Sequence, residues 1–297
     1  MTNPKRAILL RGKEKSLSRK HPWIFSGALK SKDKDIEEGD LVRVFSSEGE
    51  FLCIGHWQNG SIAVKVLSFE NERIDYGFVL ERIRTAVELR QTIGMFTDKD
   101  TTIFRLLNGE GDFMPSLIAD YYDGLVVVQF HSIGMYLLKE EIVQALKEIL
   151  QDNCKAIYCK SSSTLPKQEG IIAKDEFMFG TLEEDWYALE NGIRYKIDYA
   201  LGQKTGFFID QKDNRKLVCE MSKGKKVLNT FAYTGGFSLS AIKGGAKEVV
   251  SVDISSRAVA ICESNAKENF PQSSIHRGET ADVLKYLDDI EQGRYDL

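Results

Sequence analysis

The chain has 297 residues, 42% hydrophobic and 28% charged, with a net charge of −4. Such a composition describes a soluble globular protein of two or three domains. No run of about 18 apolar residues occurs and the N-terminus is polar and basic, so neither a membrane span nor a signal peptide is expected, and the cytoplasm is the default location. The cysteines (Cys53, Cys154, Cys159, Cys219, Cys262) are odd in number and scattered, and only Cys53 has a histidine (His56) close by. That argues against a disulfide framework and a zinc site, and leaves five buried free thiols as the expectation.

Charge is uneven. Residues 1–35 hold ten Lys or Arg and three acids, a local +7 that leaves −11 for the remainder. A polyanion contact inside an otherwise acidic protein needs such asymmetry, although a solvated basic leader would look the same. Within this leader, Lys20-His21-Pro22-Trp23-Ile24-Phe25 is a basic–aromatic patch, with Lys13, Lys15 and Arg19 just ahead of it. Aromatics beside cations can stack bases and neutralise phosphates. The plainer expectation is that Trp23, Ile24 and Phe25 are core. Residues 1–72 then read as a small all-β domain: Leu41–Phe45 and Ile62–Leu67 alternate, and Phe51–Ile54 follows a Glu48–Gly49 turn.

Residues 73–182 read as a central α+β domain. Tyr76, Val79, Leu80, Ile83, Val87 and Arg90 form a helical stripe, and Leu125–Phe130 is a buried strand. A second helix carries Leu138, Ile142, Ala145, Leu146 and Ile149, with a strand at Ile157 and Tyr158. Asp112 and Asp120 flank Pro115 and are read as turn residues rather than an acid–base pair.

Residues 183–297 read as a nucleotide-binding α/β domain. Asn191-Gly192 is a two-residue hairpin turn between Trp186–Glu190 and Ile193–Tyr199. A polar, glycine-flanked loop, Gly202 to Gln211, leads into a helix from Asp210 to Arg215 and is placed to close over a ligand. Lys204-Thr205 does not make it a phosphate loop, because Gln203 and Asp198 stand where that motif wants glycine. Val227 and Leu228 then open a strand, Tyr233-Thr234-Gly235-Gly236 a glycine turn, and Phe237 a helix. A second strand (Val249, Val250, Val252) ends on Asp253, whose carboxylate is placed to bind ribose hydroxyls. The missing G-x-G-x-x-G disfavours a pyrophosphate cofactor; a nucleoside without phosphates, such as S-adenosylmethionine, fits better.

A helix from Ser255 to Asn269, a strand near Ser274–His276 and a helix with Asp282, Val283, Leu284 and Leu287 follow. Tyr295-Asp296-Leu297 reads as the start of a further strand beside the first, at the switch point of a doubly wound sheet. The domain therefore reads as truncated, because three parallel strands would leave the Val227 strand with an unpaired edge.

Three blocks carry a family resemblance: His21–Gly27, Gly202–Arg215 and Val227–Ser238. Together they resemble a bacterial family of S-adenosylmethionine-dependent ribosomal RNA methyltransferases, with a PUA domain, a central α/β domain and a Rossmann-like catalytic domain. The resemblance implies methylation of cytosine C5 in large-subunit ribosomal RNA. It implies that the turn bearing Asn229, Phe231, Tyr233, Thr234 and Gly235 cradles the methionine part of the cofactor, with Asp253 on the ribose and Asp282 by the adenine. The loop with Lys204, Thr205, Gly206 and Asp210 would close over cofactor and base, while Lys13, Lys15, Arg19, Lys20 and Trp23 would meet RNA. The family's cysteine nucleophile would lie past Leu297, so no catalytic residue is expected in this chain. Cys219 and Cys262 are read as packing residues. No metal and no membrane partner are expected, and a homodimer is compatible with the sequence. Two alternatives stand: an RNA-binding protein without catalysis, or a methyltransferase for another base. A nicotinamide-dependent oxidoreductase is disfavoured by the missing glycine.

Overall fold

The computed structural model describes residues 4–182 and 185–297. The boundary expected at residue 183 falls outside the described residues. Two compact units emerge, one of residues up to Phe96 with Arg105–Thr181, the other of Thr97–Phe104 with Leu182–Leu297.

The first unit opens with β1 (Lys5–Leu9), α1 (Lys15–Ser18), β2 (Trp23–Phe25), β3 (Leu29–Lys32), β4 (Leu41–Phe45), β5 (Phe51–Trp57) and β6 (Ile62–Ser68). These strands form one sheet in the order β2-β6-β5-β4-β1-β3. Its core is Ala7, Leu9, Leu17, Ile24, Val42, Val44, Cys53 and Val64, the inward set that strand alternation requires. Only Ile24 of the aromatic patch joins that core. Phe25 is 50% exposed, because successive residues of a strand point to opposite faces. The expectation that all three are core is corrected.

The central portion follows as α2 (Tyr76–Thr92), β7 (Ile103–Asn108), β8 (Leu117–Tyr122), β9 (Leu125–Phe130), α3 (Ile133–Tyr136), α4 (Lys139–Leu150), β10 (Ala156–Cys159) and β11 (Glu176–Phe179). The sheet order is β11-β10-β9-β8-β7, with α2 packed on α4. All six residues of β9 are buried, as a central strand covered on both faces must be. Arg90 of the α2 stripe is buried because its guanidinium meets Asp112 through Nη2–Oδ2 at 2.8 Å. Asp112 does brace its turn, accepting from Asn108 N at 2.6 Å. Asp120 does not: it lies fully buried in β8 and pairs with Arg105 at 2.8 Å. Its reading as a turn residue is corrected.

The second unit contains β12 (Tyr187–Glu190), β13 (Ile193–Lys196), α5 (Lys212–Met221), β14 (Lys226–Thr230), α6 (Gly236–Lys243), β15 (Glu248–Asp253), α7 (Ser256–Asn269), β16 (His276–Thr280) and α8 (Val283–Asp288). Asn191 and Gly192 take φ of 50° and 69° and place Glu190 opposite Ile193. Positive φ at both central residues is the hairpin geometry that matches strand twist. The second strand stops at Lys196, short of the expected Tyr199, and β16 lies later than the strand expected at Ser274–His276. The parallel sheet has the order β14-β15-β16. Beside β14, Leu228 N donates to Leu297 O at 2.8 Å and Asp296 N to Lys226 O at 2.8 Å. The last residues thus run along the outer edge of β14, where the sequence places a further strand.

Candidate cofactor site

The carboxyl ends of β14, β15 and β16 lie side by side, with Thr230 opposite Val252 and Asp253 opposite Thr280. In open α/β sheets this edge is where ligands bind. The chain leaves β14 through a tight turn in which Phe231, Tyr233 and Gly235 have φ of 54°, 48° and 87°. Left-handed backbone at two aromatic residues costs about 1–2 kcal/mol each. Asp253 holds the turn, since its Oδ2 accepts from Tyr233 N at 2.9 Å and its Oδ1 from Ser255 N at 2.9 Å. The turn closes on α7: a Cβ at Gly235 would lie 2.3 Å from Cys262 Sγ, so only glycine fits.

The Gly202–Gln211 loop is tied to this turn by one hydroxyl. Tyr233 Oη accepts from Gln203 N at 2.9 Å and donates to Gly206 O at 3.4 Å. Burial pushes the Tyr233 phenol up to about 12, which keeps the proton it donates. Between loop and turn lies a cavity of about 340 Å³ lined by Lys204, Phe207, Phe208, Asp210, Phe231 and Tyr233, with Thr234 and Phe237 also on its wall. That falls within the roughly 300–1,000 Å³ of small-molecule sites. Lys204 and Asp210 pair across its mouth at 3.1 Å, and the neighbouring Gln211 amide and Lys204 ammonium hold the Asp210 carboxyl below its usual range.

The structure thus brings Lys204, Asp210, Phe231, Tyr233 and Thr234 together. Thr205 is buried, and Gly206 contributes its carbonyl to Tyr233. Asn229 turns its amide to Ser238 Oγ at 2.8 Å. Asp282 caps α8, accepting from Leu284 N at 3.0 Å. Sequence reasoning passed over Phe207, Phe208 and Phe237 as walls, although their density was a signal. It also passed over Glu190, whose pairing with Arg215 (2.6 and 2.7 Å) is fully buried and clasps the loop, since Arg215 donates to Phe208 O at 2.9 Å. Nothing in the local sequence marks that pair.

In the first unit Lys13, Lys15, Arg19 and Lys20 are all exposed. Trp23 is anchored by Nε1 to Glu110 at 2.9 Å. A second cavity, about 360 Å³, is lined by Lys13, Ser16, His21, Trp23, Phe25 and Gly27, among others. Lys15, Arg19 and Lys20 do not line it. Among the described residues no cluster of three or more His, Cys, Asp or Glu is placed to hold a metal ion, and no helix is long and apolar enough to cross a membrane.

The fold is a parallel α/β sheet with a cavity at its ligand-binding edge, and the chain belongs to the S-adenosylmethionine-dependent methyltransferases: residues 104–274 match that family, and residues 7–69 match a PUA-like domain. Among its relatives it is similar to the ribosomal RNA large subunit methyltransferase I of Aeromonas hydrophila, 36% identical over 283 residues, covering 94% of this chain and 70% of that one. The protein of the same name from Aeromonas salmonicida is 38% identical over 94% of this chain and 70% of its own. That from Vibrio cholerae is 37% identical over 97% of this chain and 73% of its own. Two solved structures share the fold at 24% identity. One, from Streptococcus mutans and described as a SAM-dependent methyltransferase, has a TM-score of 0.81 over 95% of this chain and 72% of its own. The other, a methyltransferase complexed with SAH, has 0.82 over 95% and 71%.

The cofactor is S-adenosylmethionine, and the residues present fit it. The cavity has aromatic walls suited to a flat ring and carries the Lys204–Asp210 pair, while Asp253, which does not line it, lies behind the turn and accepts from Tyr233 N.

Proposed function

We propose that this protein methylates cytosine C5 of large-subunit ribosomal RNA, docking the RNA through its PUA-like domain. The similarity to ribosomal RNA large subunit methyltransferases over 94% of the chain is the observation that supports this most. The cofactor turn and the exposed basic residues of the first unit agree with it. S-adenosylmethionine supplies an electrophilic methyl group. Asp253 holds the ribose, the turn from Asn229 to Gly235 the methionine part, Asp282 the adenine side, and the Lys204–Asp210 loop covers the bound molecule. Lys13, Lys15, Arg19, Lys20 and Trp23 meet the RNA. The same reading places the protein in the cytoplasm, and light scattering with and without RNA measures whether it acts as a homodimer.

Cytosine C5 becomes a nucleophile only after a thiolate adds to C6. The cysteines of this chain are poorly suited to that step. Burial pushes the thiols of Cys53 up to about 12 and of Cys154 and Cys262 up to about 11, and it raises Cys159 as well. Cys219 is half-buried rather than buried as expected, and it lines a different cavity with Asn191, Lys216 and Lys243. Residues 1–297 by themselves are therefore expected to bind cofactor without transferring methyl to cytosine C5. Transfer by this chain would overturn that assignment and make Cys219 and Cys262 the first thiols to substitute.

The substrate is tested in cells. A strain lacking the gene is expected to lose 5-methylcytidine from its large-subunit ribosomal RNA, read by nucleoside mass spectrometry. Loss of another methylated nucleoside would move the reading to that base, and an unchanged profile would sink it in favour of RNA binding without catalysis.

A further inference from the structure

Beneath the cofactor turn runs a chain of polar side chains. Asn229, next to last in β14, donates from Nδ2 to Ser238 Oγ of α6 at 2.8 Å. Ser238 Oγ lies 2.6 Å from Ser251 Oγ of β15, and Ser251 Oγ lies 2.8 Å from Nε2 of His276, the first residue of β16. Both serines are fully buried, so their hydroxyls must find partners within the protein. Cys262 of α7 places Sγ 3.5 Å from both Ser251 Oγ and His276 Nε2. Its raised pKa keeps it an S–H donor.

Chemistry gives this relay a direction. An amide nitrogen can only donate, so Ser238 accepts from Asn229 and passes its own proton towards Ser251. Ser251 then donates to Nε2, which requires a neutral imidazole with its proton on Nδ1. Asn229 Oδ1 remains as the amide's acceptor near the carboxyl end of β14, outside the wall of the cavity described above. The N–H donors of S-adenosylmethionine are its α-ammonium and its adenine amino group.

We propose that His276 is a positioning residue: through Ser251 and Ser238 it holds the Asn229 amide with Oδ1 turned to an N–H donor of the cofactor, and protonation of His276 reverses the relay and turns the amide. The inference rests on S-adenosylmethionine as the ligand. With Nε2 protonated, His276 donates to Ser251, Ser251 to Ser238, and Ser238 to Asn229. Asn229 can receive that bond only through Oδ1, so Nδ2 then confronts the cofactor's donors.

Burial lowers the His276 pKa from its ordinary value, against an opposing pull from Glu263. The neutral form therefore holds at pH 7. The groups facing the imidazole are Glu263, Lys267 and Cys262 from α7 and Ser251 from β15. Arg277 and Glu279 share its strand.

The experiment is calorimetry of S-adenosylhomocysteine binding between pH 5 and 8, on the unmodified chain, His276→Gln and Asn229→Asp, together with ¹⁵N NMR of the imidazole tautomer. The unmodified chain should bind evenly above pH 7 and lose about 3- to 30-fold in affinity as the pH falls and His276 takes up its proton. His276→Gln, whose Oε1 accepts and does not titrate, should bind evenly across the range. Asn229→Asp, which can only accept, takes the Ser238 proton and should move the imidazole to the Nε2–H tautomer at pH 7. In the unmodified chain Nε2 should carry no proton at pH 7. An Nε2–H tautomer of the unmodified chain at pH 7, or a pH profile unchanged by His276→Gln, would overturn the proposal. If His276→Gln does not fold, Asn229→Asp and the tautomer decide. Absence of binding at every pH would remove the cofactor reading as well, while the tautomer would still report the direction of the relay.

Discussion

Each oxygen of Asp253, the residue proposed to hold the ribose, already accepts a backbone amide, from Tyr233 and from Ser255. Each oxygen keeps a lone pair for a ribose hydroxyl. Asp253→Ala should weaken S-adenosylhomocysteine binding by about 1.5–3 kcal/mol, roughly 10- to 150-fold, by calorimetry; unchanged affinity would remove it from the site. His56 makes a different residue-scale claim. It is buried against Gly134, where a Cβ would lie 2.2 Å from its ring, and burial pushes its pKa down to about 4. Unfolded histidine titrates near about 6.5. Stability from the neutral ring is whole above that value and is lost as pH falls towards 4, at up to about 1.4 kcal/mol per unit. Urea midpoints at pH 7 and pH 5 should therefore separate less in His56→Gln than in the unmodified chain. Equal separation would mean that the acid sensitivity lies elsewhere.

At the scale of elements, the loop over the cavity is held by the buried Arg215–Glu190 pair and by Tyr233 Oη. Glu190→Ala leaves a guanidinium buried without its carboxylate, which should cost about 3–5 kcal/mol of stability. A urea titration measures it, and a cost below about 1 kcal/mol would show that water reaches Arg215. The elements themselves were largely legible. The α2 stripe, the buried β9, the Asn191–Gly192 hairpin and the β14–turn–α6 unit are each written in neighbouring residues, and each forms where expected. What was not legible was where strands stop. Ile193–Tyr199 reads as one run, yet pairing with β12 ends at Lys196, since a strand lasts only as long as its partner. Asp120 was misread because Pro115 suggests a turn, while the β8–β9 ladder and Arg105 decide its place.

For the whole molecule, the uneven charge is the property that matters. Lys13, Lys15, Arg19 and Lys20 are exposed on the first unit, in a chain of net charge −4. RNA binding should weaken steeply with salt, because each neutralised phosphate releases counterions. Reversing the four to Glu should flatten the slope by up to roughly one unit per phosphate contact. Filter binding between low and moderate salt reads it. A slope that survives the reversal places the RNA surface on other residues, with the loop around Lys204 the next to test.

The sequence alone was enough for the α/β class, the PUA-like and methyltransferase portions and the adenosyl cofactor. The class and the cofactor rest on side-chain period, φ demands in turns, and a glycine turn followed by an acid at the next strand's end, while the PUA-like and methyltransferase portions rest on the family resemblance of His21–Gly27, Gly202–Arg215 and Val227–Ser238. Tertiary structure alone decided the partners. Glu190 meets Arg215 across 25 residues and Ser251 meets His276 across 25. Lys226 N bonds Asp296 Oδ2 across 70 along the outer edge of β14. A buried polar group must bond whatever the fold places beside it, and which strands lie side by side is settled by packing over the whole unit. Asn229 shows the difference: its position near the end of the Val227 strand could be read from the chain, but the partner of its amide depends on three strands and a helix being in place.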